Sequence, residues 1–406
     1  MSMPLAVRQM NEARVLARLL NVGPMSRADL ARELDVTRST AGSIVASLIE
    51  AGKVEEFDPK AVPGLNPGEN HPIRTGRPAI QLRLIPDHAL FLGAYIGARE
   101  LRLCVVDFTG TVRHSFVERL PKVYPSPEDI AQRLADMVTT FVSTLPMPAT
   151  VRGINVAVPG IVDFGGDILR APSMNWRRTS FREMLQQRLT GICVHRLVND
   201  ANAFAMAEIQ RLDAERSQEA VFLLLEDGVG GCVQSGGQLL EGTNGLAGEI
   251  GHMPVGDGGH CSHTGIAGAF ENYVSRPAVL AHFSNLGGIG TTLGDYLDRL
   301  DAGDPLAQTV LDVWANDLSR GLAILTVLLN PERIVIGGRV AQLAKRAELQ
   351  IATCLQQRLM AETPPPALLV PEAGEAGPEI GAALMLHRAH FEDFGPLGEF
   401  QSLSIG

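Results

Sequence analysis

The chain has 406 residues, 45% of them hydrophobic, and a net charge of −10. That length exceeds one ordinary domain and predicts two or three, and the acidic balance argues against a surface coated throughout with nucleic acid. Five scattered cysteines (Cys104, Cys193, Cys232, Cys261, Cys354) make no disulfide framework and point to a reducing cytoplasm. No uncharged apolar run reaches the ~18 residues of a membrane span.

The first segment is the more cationic one, with 11 Lys/Arg against 9 Asp/Glu in residues 1–85. Val7 to Leu20 carries apolar residues at helical spacing. Ser26 then precedes a short run in which Asp29 takes the capping-box position, and Thr37 caps a further helix that stops at Gly52. Two short helices joined by Leu34-Asp35-Val36 form a helix-turn-helix pattern, whose second helix enters the major groove by its N-terminal residues. The expected DNA contacts are Arg27, Thr37, Arg38, Ser39, Thr40 and Ser43, a set rich in hydroxyls with two arginines. Two short strands, Lys53 to Phe57 and Ile80 to Leu84, flank a long Pro/Gly-rich loop. They predict a wing whose tip, Arg77 between Gly76 and Pro78, reaches the minor groove. A three-helix module that binds protein is the alternative for this segment.

From Ile85 the pattern alternates strand and helix, as in layered α/β domains. Strands are expected at Phe91 to Gly97, Arg152 to Ile161, Ala220 to Leu225 and Val335 to Gly338, with a hairpin turn at Asp107 to Gly110. Helices are expected at about 127–144, 180–189 and 201–213, and helical segments dominate 305–330. The residues beyond His390 read as a loose tail.

Four runs in this body occur in a fixed order: ValAlaValProGlyIleValAsp at 156–163, ValAsnAspAlaAsnAlaPhe at 198–204, GlyLeuAlaGlyGluIleGlyHis at 245–252, and AsnProGluArgIleValIleGlyGly at 330–338. With them, residues 85–390 resemble the ROK family of repressors, open reading frames and sugar kinases, and residues 5–85 extend the resemblance to its repressor branch. The resemblance implies an α/β protein: a winged helix-turn-helix over 1–85, a two-lobed actin-like ATPase (ribonuclease H-like) body over 86–390 that binds effector and dimerises, and a tail over 391–406. It also implies a sugar site between the lobes, built from Asn199, Asp200, Glu249, His252 and Glu271. Asp200 aligns with the base of the family's kinases, which takes the proton of the attacking hydroxyl. An amide, three carboxylates and an imidazole suit the hydroxyls of a neutral polyol.

The same resemblance exposes two losses. Family kinases carry D-I-G-G-T in the first hairpin and a G-T-G-I-G-like second phosphate loop. Here Tyr95 and Arg99 replace the Asp and Thr, and Glu226 and Asp227 open the second loop. Both changes oppose ATP binding, leaving Asp200 a vestigial base. Family members also usually hold zinc through the His of the third run and three cysteines, but Ser262, Thr264 and Ala269 fall at those cysteine positions. No structural metal is expected in that register, although a shifted set from His252, His260, Cys261 and His263 stays open.

The chain therefore reads as a cytoplasmic, sugar-responsive transcriptional repressor of carbohydrate genes and not an enzyme, with neither cofactor nor metal. Its expected partners are operator DNA, a monosaccharide or sugar-derivative effector and further copies of itself as homodimer or homotetramer, with no membrane. An active sugar kinase, and a repressor that senses a protein, are the competing readings.

Overall fold

The computed structural model describes residues 5–59, 80–121, 126–145, 150–163, 165–212, 218–240, 242–243, 245–260, 265–372 and 377–392. The N-terminal head contains α1 (Leu5–Val22), β1 (Met25–Ser26), α2 (Arg27–Glu33), α3 (Arg38–Glu50), β2 (Val54–Phe57) and β3 (Gln81–Leu84). The Ser26 hydroxyl accepts from the Asp29 amide and starts α2; Thr37 accepts from the Thr40 amide and starts α3. Asp35 makes the turn between them with a left-handed φ of 53°. The three strands pair in the order β1-β3-β2. This is the winged helix-turn-helix arrangement; Arg77 and the rest of the wing loop lie outside the described residues.

The first lobe follows as β4 (Leu90–Ile96), β5 (Glu100–Asp107), β6 (Val112–Arg119), α4 (Pro127–Ser143), β7 (Val151–Val158), β8 (Ile161–Val162), β9 (Ile168–Ala171), β10 (Trp176–Thr179), α5 (Phe181–Gln186), β11 (Val194–Asn199) and α6 (Asp200–Arg211). The second lobe contains β12 (Ala220–Leu225), β13 (Val229–Ser235), β14 (Gln238–Leu239), α7 (Glu271–Val274), α8 (Arg276–Asn285), α9 (Leu293–Asp301), α10 (Pro305–Leu329), β15 (Arg333–Gly337), α11 (Ala341–Arg346), α12 (Glu348–Gln356) and β16 (Ala367–Leu369). The chain then returns to the first lobe as α13 (Pro378–Glu392).

The two lobes share one plan. The first sheet runs β11-β7-β4-β5-β6 and the second β14-β13-β12-β15-β16. In each, three consecutive strands pair antiparallel and two more add in parallel beside the first of them. This repeated meander-plus-parallel sheet is the two-lobed actin-like architecture implied above. The parallel strands need crossover helices on their faces, which α4, α6 and α10 provide.

Two departures from the sequence reading concern chain ends of elements. Helix α6 starts at Asp200, because the Asn199 side chain accepts from the amides of Ala201 and Asn202 and so caps it. Helix α13 runs through the first residues assigned to the tail; residues 393–406 lie outside the described residues. It packs against α6, β4, β7 and β5. Leu386 and Phe391 at its far end enter one apolar cluster with Leu16, Leu30 and Leu48 of the head and Phe91 and Phe108 of the body. Head and first lobe thus share a core.

Glycine makes the α13 contacts possible. A Cβ on Gly381 would stand 1.6 Å from the Ala203 carbonyl oxygen of α6, and one on Gly93 of β4 would stand 2.0 Å from the Glu379 carbonyl oxygen. Gly381→Ala must push two backbones apart and is expected to destabilise the protein by about 1–3 kcal/mol or more. Gly42→Ala in α3 meets nothing within 4 Å and should be neutral or stabilising by about 0.5–1 kcal/mol. Chemical denaturation of the two variants checks both signs; equal effects would contradict this packing.

Candidate functional site

The five residues expected to bind sugar line one cleft between the lobes, with a volume of about 140 Å³, of the order that holds a single six-membered ring. Strand ends and short turns build it. β7 ends at Pro159-Gly160, β11 ends at Asn199-Asp200, and the β12–β13 turn brings Gly228 and Gly230. Small residues are required there. A Cβ on Gly230 would meet the Ala201 Cβ at 2.8 Å, and one on Gly228 would meet Glu271 Oε2 at 3.3 Å.

Asp200 is buried, and one carboxyl oxygen accepts from the Ala201 amide at 2.9 Å. Burial pushes its pKa up to about 7; the Ala201 amide opposes the rise and Glu226 adds to it. Glu249 and His252 flank a single 3-10 turn, with Oε2 and Nδ1 3.3 Å apart. Burial also raises the Glu249 pKa; His252 pulls it back and Glu271 pushes it further up. Glu271, also buried, opens α7. Asn199 is a different case from the free amide expected of it. Its carbonyl caps α6 and its amide donates to the Gly160 carbonyl at 3.0 Å, leaving one amide hydrogen for a ligand.

The cleft also carries residues that the motifs did not reveal. Arg170 on β9 and Ser173 just beyond it line the cleft. The Ser173 hydroxyl is buried with no hydrogen-bond partner among the described residues, an unmet hydrogen bond that a ligand hydroxyl would satisfy. Both lie in the stretch between the first two motif runs, where only position hinted at a role. Arg99 is exposed and does not line the cleft.

Where family kinases bind phosphate, this chain has ion pairs of its own. Arg339, after β15, reaches Glu226 at 3.3 Å and Glu100 of the first lobe at 3.1 Å, while its amide donates to Glu226 Oε1 at 3.0 Å. Arg276 pairs with Asp227. Arg102 pairs with Glu100, approaches Glu379 of α13, and lies over the Tyr95 ring at 5.7 Å from its centroid. Burial holds the Tyr95 hydroxyl protonated, with Asp200 reinforcing the effect. Glu226 and Asp227 are thus each engaged by an arginine distant in the chain. The donor set does not fit a magnesium nucleotide.

The zinc register does not fit either. His252 is engaged with Glu249, and Ala269 is buried in a bridge to Pro254. Among the described residues no group of three or more His, Cys, Asp or Glu side chains gathers to hold a metal. Cys261, Ser262, His263 and Thr264 lie outside those residues.

On the head, Thr37, Arg38, Ser39 and Ser43 are exposed along the start of α3, and Thr40 is half-buried. Thr37 and Thr40 share a hydroxyl contact of 2.9 Å at the cap. Arg27 points back to Glu56 of β2 at 2.9 Å, which leaves Arg38 as the arginine of this set with no carboxylate partner among the described residues.

The raised Asp200 pKa has a defined sign. The folded protein holds this proton to a higher pH than the unfolded chain, whose Asp titrates near about 3.9. Ionisation therefore opposes folding, with no penalty below the unfolded value and the full penalty above about 7. Asp200→Asn should raise the melting temperature more at about pH 8.5 than at about pH 4. Thermal unfolding of both proteins across this range tests it, and a gain independent of pH would refute the burial of an ionisable carboxyl here.

Residues 91–389 match the ROK family. The chain is similar to the DNA-binding transcriptional dual regulator NagC of Escherichia coli (strain K12), 24% identical over 365 residues covering 87% of this chain and 86% of that one. It is similar to the xylose repressor of Bacillus spizizenii, 25% identical over 340 residues covering 83% and 84%. Among solved structures, a ROK family transcriptional regulator described as a homologue of the E. coli MLC protein superposes with a TM-score of 0.73 at 23% identity, covering 97% of this chain and 99% of that one. A ROK family glucokinase from Streptomyces griseus, solved with glucose and AMPPNP, superposes at 0.65 with 26% identity, covering 73% and 99%. With three quarters of its length matched by the family and the two-lobed fold in place, the chain belongs to the ROK family.

Proposed function

We propose that this protein is a cytoplasmic, sugar-responsive transcriptional repressor. The head binds operator DNA through α3, and the interlobe cleft binds a monosaccharide effector. The observation that carries this reading is a helix-turn-helix head joined to a cleft whose polar groups face a ring-sized space, while Glu226 and Asp227 of the second loop are held in ion pairs. The names of the two curated relatives, a DNA-binding transcriptional dual regulator and a xylose repressor, support it. Ligand binding can shift only an equilibrium in which it prefers one arrangement; here that equilibrium is between lobe arrangements, read out as the spacing of two heads. Apolar side chains left exposed on α10 and α12, among them Val327, Leu328 and Leu349, support self-association as a homodimer or homotetramer.

The effector's hydroxyls would donate to Asp200, Glu249 and Glu271 and meet Ser173 and His252. Three carboxylates favour a neutral sugar; Arg170 supplies the one place, among the described residues of the cleft, where an acidic substituent meets a cation not already paired with a carboxylate. Asp200→Ala and Glu249→Ala are each expected to weaken effector binding about tenfold or more, since each removes a carboxylate that accepts from the effector's hydroxyls. Effector-free DNA binding should remain intact in both. Calorimetry with a sugar panel and a DNA-binding assay decide it, and a wild-type effector response in both variants would remove these residues from the site.

The competing kinase reading rests on Asp200, which stands where family kinases keep their base. The Tyr95 ring and the Glu226–Arg339 pair oppose it. A coupled assay is expected to show no saturable ATP-dependent turnover of hexoses or pentoses; turnover abolished by Asp200→Asn would establish the enzyme instead.

A further inference from the structure

Between Ile168 and Val198 the chain holds six arginines and one acidic residue, Glu183, within a protein of net charge −10. Arg177, Arg178 and Arg196 of this run are exposed, as are Arg152 and His195. Elsewhere arginines such as Arg133, Arg276, Arg339 and Arg346 are paired with carboxylates. Among the described residues no carboxylate pairs with Arg152, Arg177, Arg178, Arg188 or Arg196. Unneutralised cations concentrated on one element group of an acidic protein mark a surface for a polyanion.

The topology places part of this group beside the head. β7 and β11 are parallel, with Val194 opposite Ile154, so both strands start at the same end of the first sheet. Leu90 pairs with Val151 there, and Ile85, shortly before Leu90, donates its amide to the Lys53 carbonyl at the foot of the wing. Arg152 therefore stands next to the head's own cationic Lys53. β11 is the edge strand, and its register breaks between Val194 and Leu197. Such a bulge bends an edge strand and re-aims its side chains, and here it carries His195 and Arg196. His195 Nε2 donates to the Arg152 carbonyl at 3.2 Å, tying the two strand starts together. Arg188 follows α5 on the way back to that end, with a guanidinium nitrogen on the Met184 carbonyl at 2.7 Å. The shared core of head and first lobe makes wing foot and basic edge one rigid surface.

We propose that this edge, formed by Arg152, Arg188, His195 and Arg196, is a second DNA-contact surface on the effector body, holding the phosphate backbone of duplex that flanks the segment read by the head. Continuity with the wing favours DNA over an acidic protein. The charges sit on strand ends and a helix end with no base-reading helix, so the contact is to phosphate and independent of sequence. The inference rests on the DNA-binding reading of the head, and the test separates the two.

The full-length protein is titrated with fluorescent duplexes of arbitrary sequence, about 15 and about 40 base pairs long, at several salt concentrations. The triple variant Arg152→Ala/Arg188→Ala/Arg196→Ala is expected to bind the long duplex about tenfold or more weakly, with a log–log salt slope shallower by about 2–3, about one unit for each phosphate no longer neutralised. Its binding to the short duplex should be unchanged. Arg38→Ala should weaken both. Arg196→Glu alone, at an exposed position, gives the same direction should the triple variant fold poorly. An unchanged long-duplex slope in these variants, with Arg38→Ala still impaired, overturns the second surface, leaves the head reading standing and turns the basic edge toward an acidic protein. Unchanged binding in all variants overturns both.

Discussion

The rest of the molecule depends on the close approach of α13 to α6 and β4. Gly381 and Gly93 let backbone meet backbone there, and no larger residue fits without moving a layer of the structure. α6 begins with Asp200 in the cleft and its other faces pack on β12 and β13 of the second lobe. α13 continues past it to bury Leu386 and Phe391 in the head. One helix therefore touches the element that carries the buried cleft carboxylate and the core that supports α3. Interiors packed this tightly do not deform smoothly, so a change in lobe arrangement has a direct mechanical route to the head.

Ion pairs bridge the two lobes beside the cleft. Arg339 holds Glu226 of its own lobe and Glu100 of the other, and Arg102 extends the set to Glu379 on α13. Partly buried pairs of this kind contribute little net stability, because desolvation offsets their attraction. Their effect is on geometry: removing one member strands its partner, so the set specifies one arrangement of the phosphate loops. Beside it, Asp200 is kept in a place that raises its pKa and opposes folding when it ionises. A carboxyl retained against stability is a mark of a binding or catalytic position.

Much of the fold was legible in the sequence because its signals are local. Ser26 and Thr37 cap helices through amides three residues on, and the Asp107–Gly110 turn closes within its own hairpin. The motif runs 156–163, 198–204 and 245–252 each contribute residues to one cleft, so the order of motifs pointed to that cleft. What the motifs could not convey was how those side chains are used. Asn199 looks like a free amide in its run, but the start of α6 claims its carbonyl.

The sequence by itself determined the order of elements, the helix-turn-helix pattern and the family, since each depends on residues close together in the chain or on identity at fixed positions. Only the tertiary structure decided that the two sheets repeat one plan, that Glu226 and Asp227 are paired with Arg339 and Arg276, that Arg170 and Ser173 line the same cleft as the carboxylates, and that the head shares its core with α13. All of these join residues far apart in the chain. Local propensity and spacing do not encode which distant side chains the path of the backbone brings within a few ångströms.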